Sequence, residues 1–102
     1  MPMRDPRLEL DVVVDEDLLD LVPEFVANRR AELATLTAAV AAGRWPQVRQ
    51  IGHRWKGLGG MYGFGWLTHA GTVLELRAQE ATPEVREVLE AAEVYLAHVV
   101  WR

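Results

Sequence analysis

Residues 45–65 read WPQVRQIGHRWKGLGGMYGFG, and this stretch decides the fold. Val48, Ile51, Trp55, Leu58 and Tyr62 recur every three or four residues, the spacing of an amphipathic helix. Pro46 suits the first turn of that helix, and Gly63-Phe64-Gly65 reads as its end. Six of the eight glycines nevertheless lie between residues 52 and 65: Gly52, Gly57, Gly59, Gly60, Gly63 and Gly65. Each interior helical glycine costs about 0.8–1 kcal/mol relative to alanine, so Gly52, Gly57, Gly59 and Gly60 together cost roughly 3–4 kcal/mol. That is a large share of a small domain's stability. Glycine is kept at such a cost where backbones pack closely or where a partner must approach. These glycines fall on more than one face, so both uses are expected.

The rotation of about 100° per residue sorts the faces. Arg49, Gln50, Lys56, Gly57 and Gly60 share the face of His53, opposite the apolar stripe. The histidine therefore projects outward from mid-helix, with a cation one turn on and two bare backbone positions beside it. This is a docking surface that carries a reactive imidazole. Lys56 is the sole lysine beside ten arginines, and it offers a compact, mobile ammonium on that face. Glu75 follows His53 by 22 residues, across the turn near Gly65. In an antiparallel hairpin it faces His53 and accepts from Nδ1–H, leaving Nε2 as an outward nucleophile. The alternative for Glu75 is a solvated helix carboxylate. Phe64 and Trp66, near the end of the histidine's helix, are candidate partner contacts. The four tryptophans otherwise read as core or helix-end packing.

Outward from this segment the chain stays helical. Upstream, a helix is expected from about Pro23 to Ala42, with Val26, Leu33, Leu36 and Val40 inward and Gly43 as its stop. Arg29 and Arg30 read as a solvated face of it. Asp15 caps a short helix in front. Downstream, a helix from about Trp66 to Gln79 carries Leu67, Gly71, Leu74 and Ala78 on one stripe. Thr82-Pro83-Glu84 then opens a last helix with Val85, Val88, Leu89, Ala92, Leu96 and Val99 inward. Short connections make sequential helices antiparallel neighbours. The expected fold is all-α, an antiparallel up-down four-helix bundle over residues 15–102. Residues 1–14 form an irregular or extended lead-in, in which Val12-Val13-Val14 has no partner run for a strand.

Composition bounds the function. The chain has 102 residues, half of them hydrophobic and a quarter charged, the proportions of one globular domain. Cysteine is absent, which removes disulfides, thiolate metal sites and cysteine nucleophiles. A net charge of −4 lacks the overall basic character of a typical nucleic-acid binder. No apolar run follows the charged N-terminus and none is long enough to span a bilayer, so the expectation is a cytoplasmic protein without membrane insertion. Phosphate-binding loop, nucleophile-elbow and zinc-helix patterns are absent, so no nucleotide site is expected. His53, His69 and Glu75 lack the paired Glu-x-x-His pattern of bundle metal sites, and no metal is expected.

The run His53-Arg54-Trp55-Lys56-Gly57, followed by Gly60, Tyr62-Gly63, Leu67 and Leu74-Glu75, resembles the histidine phosphotransfer (HPt) domain family. The resemblance extends over about residues 16–100. It implies a four-helix bundle whose exposed histidine carries a phosphoryl group between signalling proteins of a two-component phosphorelay. By that resemblance His53 is phosphorylated, Lys56 stabilises the phosphate and Glu75 orients the histidine. Arg49, Gln50, Gly57, Gly60 and Phe64 are then expected to meet the partner, a response-regulator receiver domain or a histidine kinase. The receiver supplies Mg²⁺, and the chain has no cofactor of its own. Leu58 and Gly52 depart from the family's small polar residue and alanine, and Leu58 removes a polar contact. The other reading is an HPt-like adaptor that binds receivers without transfer.

Overall fold

The computed structural model describes residues 1–102, which form four α-helices around one core. Helix α1 spans Val22–Ala41, α2 Trp45–Tyr62, α3 Gly65–Gln79 and α4 Val85–His98. Each α-helix packs on two others, α2 against α3 most extensively, and the ring closes where α4 meets α1. The core runs through Leu36, Val48, Trp55, Leu67, Leu74, Val88 and Leu96, all essentially without solvent contact. These are the positions that the 3.6-residue period sets inward.

Local chemistry sets the boundaries. Pro23 stands within the first turn of α1 and Pro46 within that of α2, where a missing N–H leaves no bond unmade. Gly63 closes α2 at φ 83°, a left-handed conformation that side chains resist. That turn lets α3 start two residues later and fold back along α2. The α4 boundary differs from expectation. The helix opens at Val85, because Val85, Arg86 and Glu87 donate to the carbonyls of Thr82, Pro83 and Glu84 in tight i+3 turns. Thr82 does not cap the helix, and its hydroxyl instead accepts from the Glu84 amide at 3.3 Å within the preceding turn. The short segment in front of α1 is a 3₁₀-helix over Glu16–Leu21, capped by Asp15, which accepts from the Asp17 amide.

Residues 1–14 are more ordered than their sequence pattern implies. Pro6–Leu8 make a 3₁₀ turn, and strand β1, Asp11–Val12, pairs in parallel with β2, Val100–Trp101. The Val14 amide donates to Arg102, Val100 to Leu10 and Arg102 to Val12. The valine run thus does have a partner, at the far end of the chain. Further in, the Trp66 indole donates to the Arg4 carbonyl at 3.1 Å, and Trp66 stacks on Tyr95 with centroids 4.6 Å apart. Burial pushes the Tyr95 hydroxyl far above its ordinary pKa, and its oxygen has no hydrogen-bond partner. No helix is long and apolar enough to cross a membrane.

Candidate functional site

His53 sits in the middle of α2 with its side chain 75% exposed, while Trp55 two residues on is fully buried. The half-turn between them is the amphipathic pattern at work. Glu75 on α3 places Oε2 3.0 Å from His53 Nδ1. A carboxylate only accepts, so a hydrogen lies on Nδ1, and in the neutral ring the lone pair is then on Nε2. With 28% of its side chain exposed, Glu75 is the better shielded partner and holds the imidazole from the α3 side.

The glycines divide into two sets. A Cβ at Gly52 would lie 2.8 Å from Leu74 Cβ and 3.0 Å from the Glu75 amide nitrogen. One at Gly59 would lie 2.7 Å from the Thr68 amide, and one at Gly71 would run into the backbones of Gly52 and Lys56. These three let α2 and α3 approach until Glu75 reaches the imidazole. Gly57, by contrast, has nothing within 4 Å of an added Cβ, and at Gly60 only Thr68 Oγ1 comes within 3.8 Å. Nothing in the fold requires glycine at these two exposed positions, which lie beside His53.

Lys56, Arg49 and Gln50 are exposed on the same face. Arg49 and Lys56 line a cleft of about 450 Å³ with Thr72, Glu75, Leu76 and Gln79 of α3. Neither cation has an ion-pair partner. Met61, 64% exposed, and Leu76, 43% exposed, add apolar surface on α2 and α3.

Phe64 is not part of this surface. Its ring is wholly buried, 5.3 Å from that of Phe25, and Trp66 is buried as well. The expectation of a partner contact fails at both because the chain turns inward at Gly63 to begin α3. Leu58 is half-buried and lines a small cleft with Phe25 and Tyr62, a setting that suits its apolar side chain. Arg29 also departs from the expected solvated face. It is buried, with Nε 2.5 Å from Glu32 Oε1 though not aligned for a hydrogen bond. Glu32 also pairs with Arg54 and accepts from the Trp55 indole at 3.1 Å, so it ties α1 to the helix of the histidine. Arg29 stands three residues after Val26 and four before Leu33, so spacing puts it on the inward stripe of α1, and only the fold shows which acid meets it.

No group of three or more His, Asp or Glu side chains converges to hold a metal ion. His69 lies apart from His53, with Nε2 accepting from the Arg4 amide at 3.2 Å. Burial is the main cause of its lowered pKa, followed by the charge of Arg4. A family model described as Hpt domain matches residues 20–98. No curated protein and no solved structure matches the chain.

Proposed function

The chain belongs to the Hpt domain family, and from that premise we propose that His53 is its phosphoryl-carrying residue. Hpt domains serve histidine phosphotransfer in two-component phosphorelays. The observation that carries the assignment is the pairing of an exposed imidazole with Glu75 through Nδ1. In the neutral ring it leaves the lone pair on Nε2, on an exposed side chain that shares a face with Gly57 and Gly60. His69 is held by the N-terminal segment and does not offer this combination.

In the proposed step the Nε2 lone pair attacks the phosphorus of an aspartyl phosphate on a receiver domain. The P–O bond to the aspartate breaks, and the carboxylate leaves with the electron pair. The proton stays on Nδ1, where Glu75 offsets the positive charge that the ring acquires. Lys56 neutralises part of the phosphoryl charge. Mg²⁺ comes with the receiver. Gly57 and Gly60, with Arg49 and Gln50, form the face on which the receiver or a kinase docks. The absence of a nucleotide-binding pattern supports a carrier of phosphate rather than a self-phosphorylating enzyme. We place this carrier in the cytoplasm.

We read the supporting architecture as an antiparallel up-down bundle, and the α2–α3 pair supports it. Gly52 meets Gly71 and Glu75, whereas Gly59, later in α2, meets Thr68, earlier in α3. That opposite sense sets Glu75 against His53.

The test is incubation with Mg²⁺ and a panel of aspartyl-phosphorylated receiver domains, with His53→Gln as control. The expected result is acid-labile, alkali-stable phosphate on the wild-type chain and none on the variant. Receiver binding without label on either chain would replace the carrier with an adaptor.

A further inference from the structure

The register that sets Glu75 against His53 also sets Gln79 against Arg49 and Thr72 against Lys56, one turn to either side. All of these residues except His53 line the cleft between α2 and α3. The acid in this ladder faces the histidine, while both cations face neutral groups. The Thr72 hydroxyl donates to the Thr68 carbonyl at 2.9 Å, and no hydrogen bond joins it to Lys56. Arg54, the other cation beside His53, is held by Glu32. Arg49 and Lys56 are thus the two charges next to the imidazole that have no ion-pair partner.

We propose that Arg49 is a second phosphoryl-binding cation, closing on the phosphorylated imidazole from the turn opposite Lys56. This assignment rests on the carrier reading of His53. Charge balance is the first argument. Transfer to Nε2 with the proton kept on Nδ1 creates an imidazolium, which Glu75 offsets. The phosphoryl group then carries close to two negative charges near neutral pH. Lys56 offsets one of them, and the other is matched only if Arg49 joins. Direction is the second argument. Helical side chains lean toward the helix N-terminus, so the imidazole of His53 extends over the turn that holds Arg49, whose long exposed side chain swings back from that lean to meet it. Lys56, one turn later, leans back toward the same point. A guanidinium also matches phosphate oxygens in a two-pronged geometry that an ammonium lacks.

The assignment can be tested without a protein partner. A phosphoramidate donor loads the wild-type chain, Arg49→Gln and Arg49→Lys: Nε2 attacks phosphorus, the P–N bond breaks, and ammonia leaves with a proton from solvent. Phosphorus NMR follows the rate of loading and the pH titration of the phosphoryl group. Arg49→Gln is expected to slow loading about threefold and to raise the phosphoryl titration midpoint by about half a unit, the scale of one partly screened charge pair. Arg49→Lys is expected to restore most of both. Arg49 is exposed and unpaired, so the variants keep the fold, which far-ultraviolet circular dichroism checks. An Arg49→Gln chain that loads and titrates like the wild type would overturn the role of Arg49 and leave His53 as the carrier. A wild-type chain that takes no phosphate on His53 would overturn the carrier reading and this assignment together.

Discussion

At the scale of single residues, the site depends on one hydrogen bond between a charged group and an exposed ring. Glu75 fixes both the tautomer and the direction of His53. Its loss leaves the ring free to rotate and to place its proton on either nitrogen. Glu75→Ala should therefore slow phosphoryl loading about tenfold, less than the roughly hundredfold or more of a direct acid–base partner, because Glu75 acts through the ring. Glu75→Gln should fall between the two, because the amide oxygen still accepts from Nδ1–H. Initial loading rates with the phosphoramidate donor decide this, and equal rates for all three chains would contradict it. Helical spacing made the shared exposed face of His53 and Lys56 legible in sequence, whereas for Glu75 it left the solvated alternative open until the 3.0 Å contact decided it. The burial of Arg29 was legible too, since it stands three residues after Val26 and four before Leu33 on the inward stripe, but its acid partner Glu32 was not.

At the scale of elements, the glycines of α2 and α3 serve opposite ends. Gly71 has no room for a Cβ between the backbones of Gly52 and Lys56, whereas Gly57 opens on solvent. Gly71→Ala should destabilise the fold by about 1–3 kcal/mol through overpacking. Gly57→Ala should stabilise it by about 0.5–1 kcal/mol, since alanine is the better helix former. The same Gly57 change should weaken docking of the partner, because the new methyl stands beside His53. Urea titration of the two variants reads the sign of each effect, and destabilisation by Gly57→Ala would contradict the division. Sequence periodicity places these glycines on different faces. It does not say which face meets α3, because that follows from the tight turn at Gly63.

At the scale of the whole molecule, the two ends of the chain close over the bundle. Strands β1 and β2 join positions 11–12 to 100–101, and Arg77 donates to the Met1 carbonyl at 2.9 Å. This pairing was not legible in sequence: two-residue strands have no periodicity, and the partner is nearly a chain length away. His69 adds a pH dependence to it. Its lowered folded pKa means that the unfolded chain binds the proton more readily. Arg4 and Arg77 reinforce that lowering, while Glu9 and the Pro2 backbone oppose it. The stability linked to neutral His69 is therefore present in full above its ordinary value of 6.5, and it is lost as pH falls from there through the folded pKa. The melting temperature should drop between pH 7 and pH 5 and drop less in His69→Gln, whose amide oxygen can accept from Arg4 without titrating. Parallel curves for the two chains would contradict that assignment.

The central claim is that phosphate enters at Nε2 of His53 because Glu75 occupies Nδ1. The most direct measurement loads the ¹⁵N-histidine-labelled chain with phosphate and reads which ring nitrogen couples to phosphorus. Coupling to Nε2 of His53, absent in His53→Gln, is the predicted result. Phosphate on Nδ1, or on His69 or His98, would contradict the account.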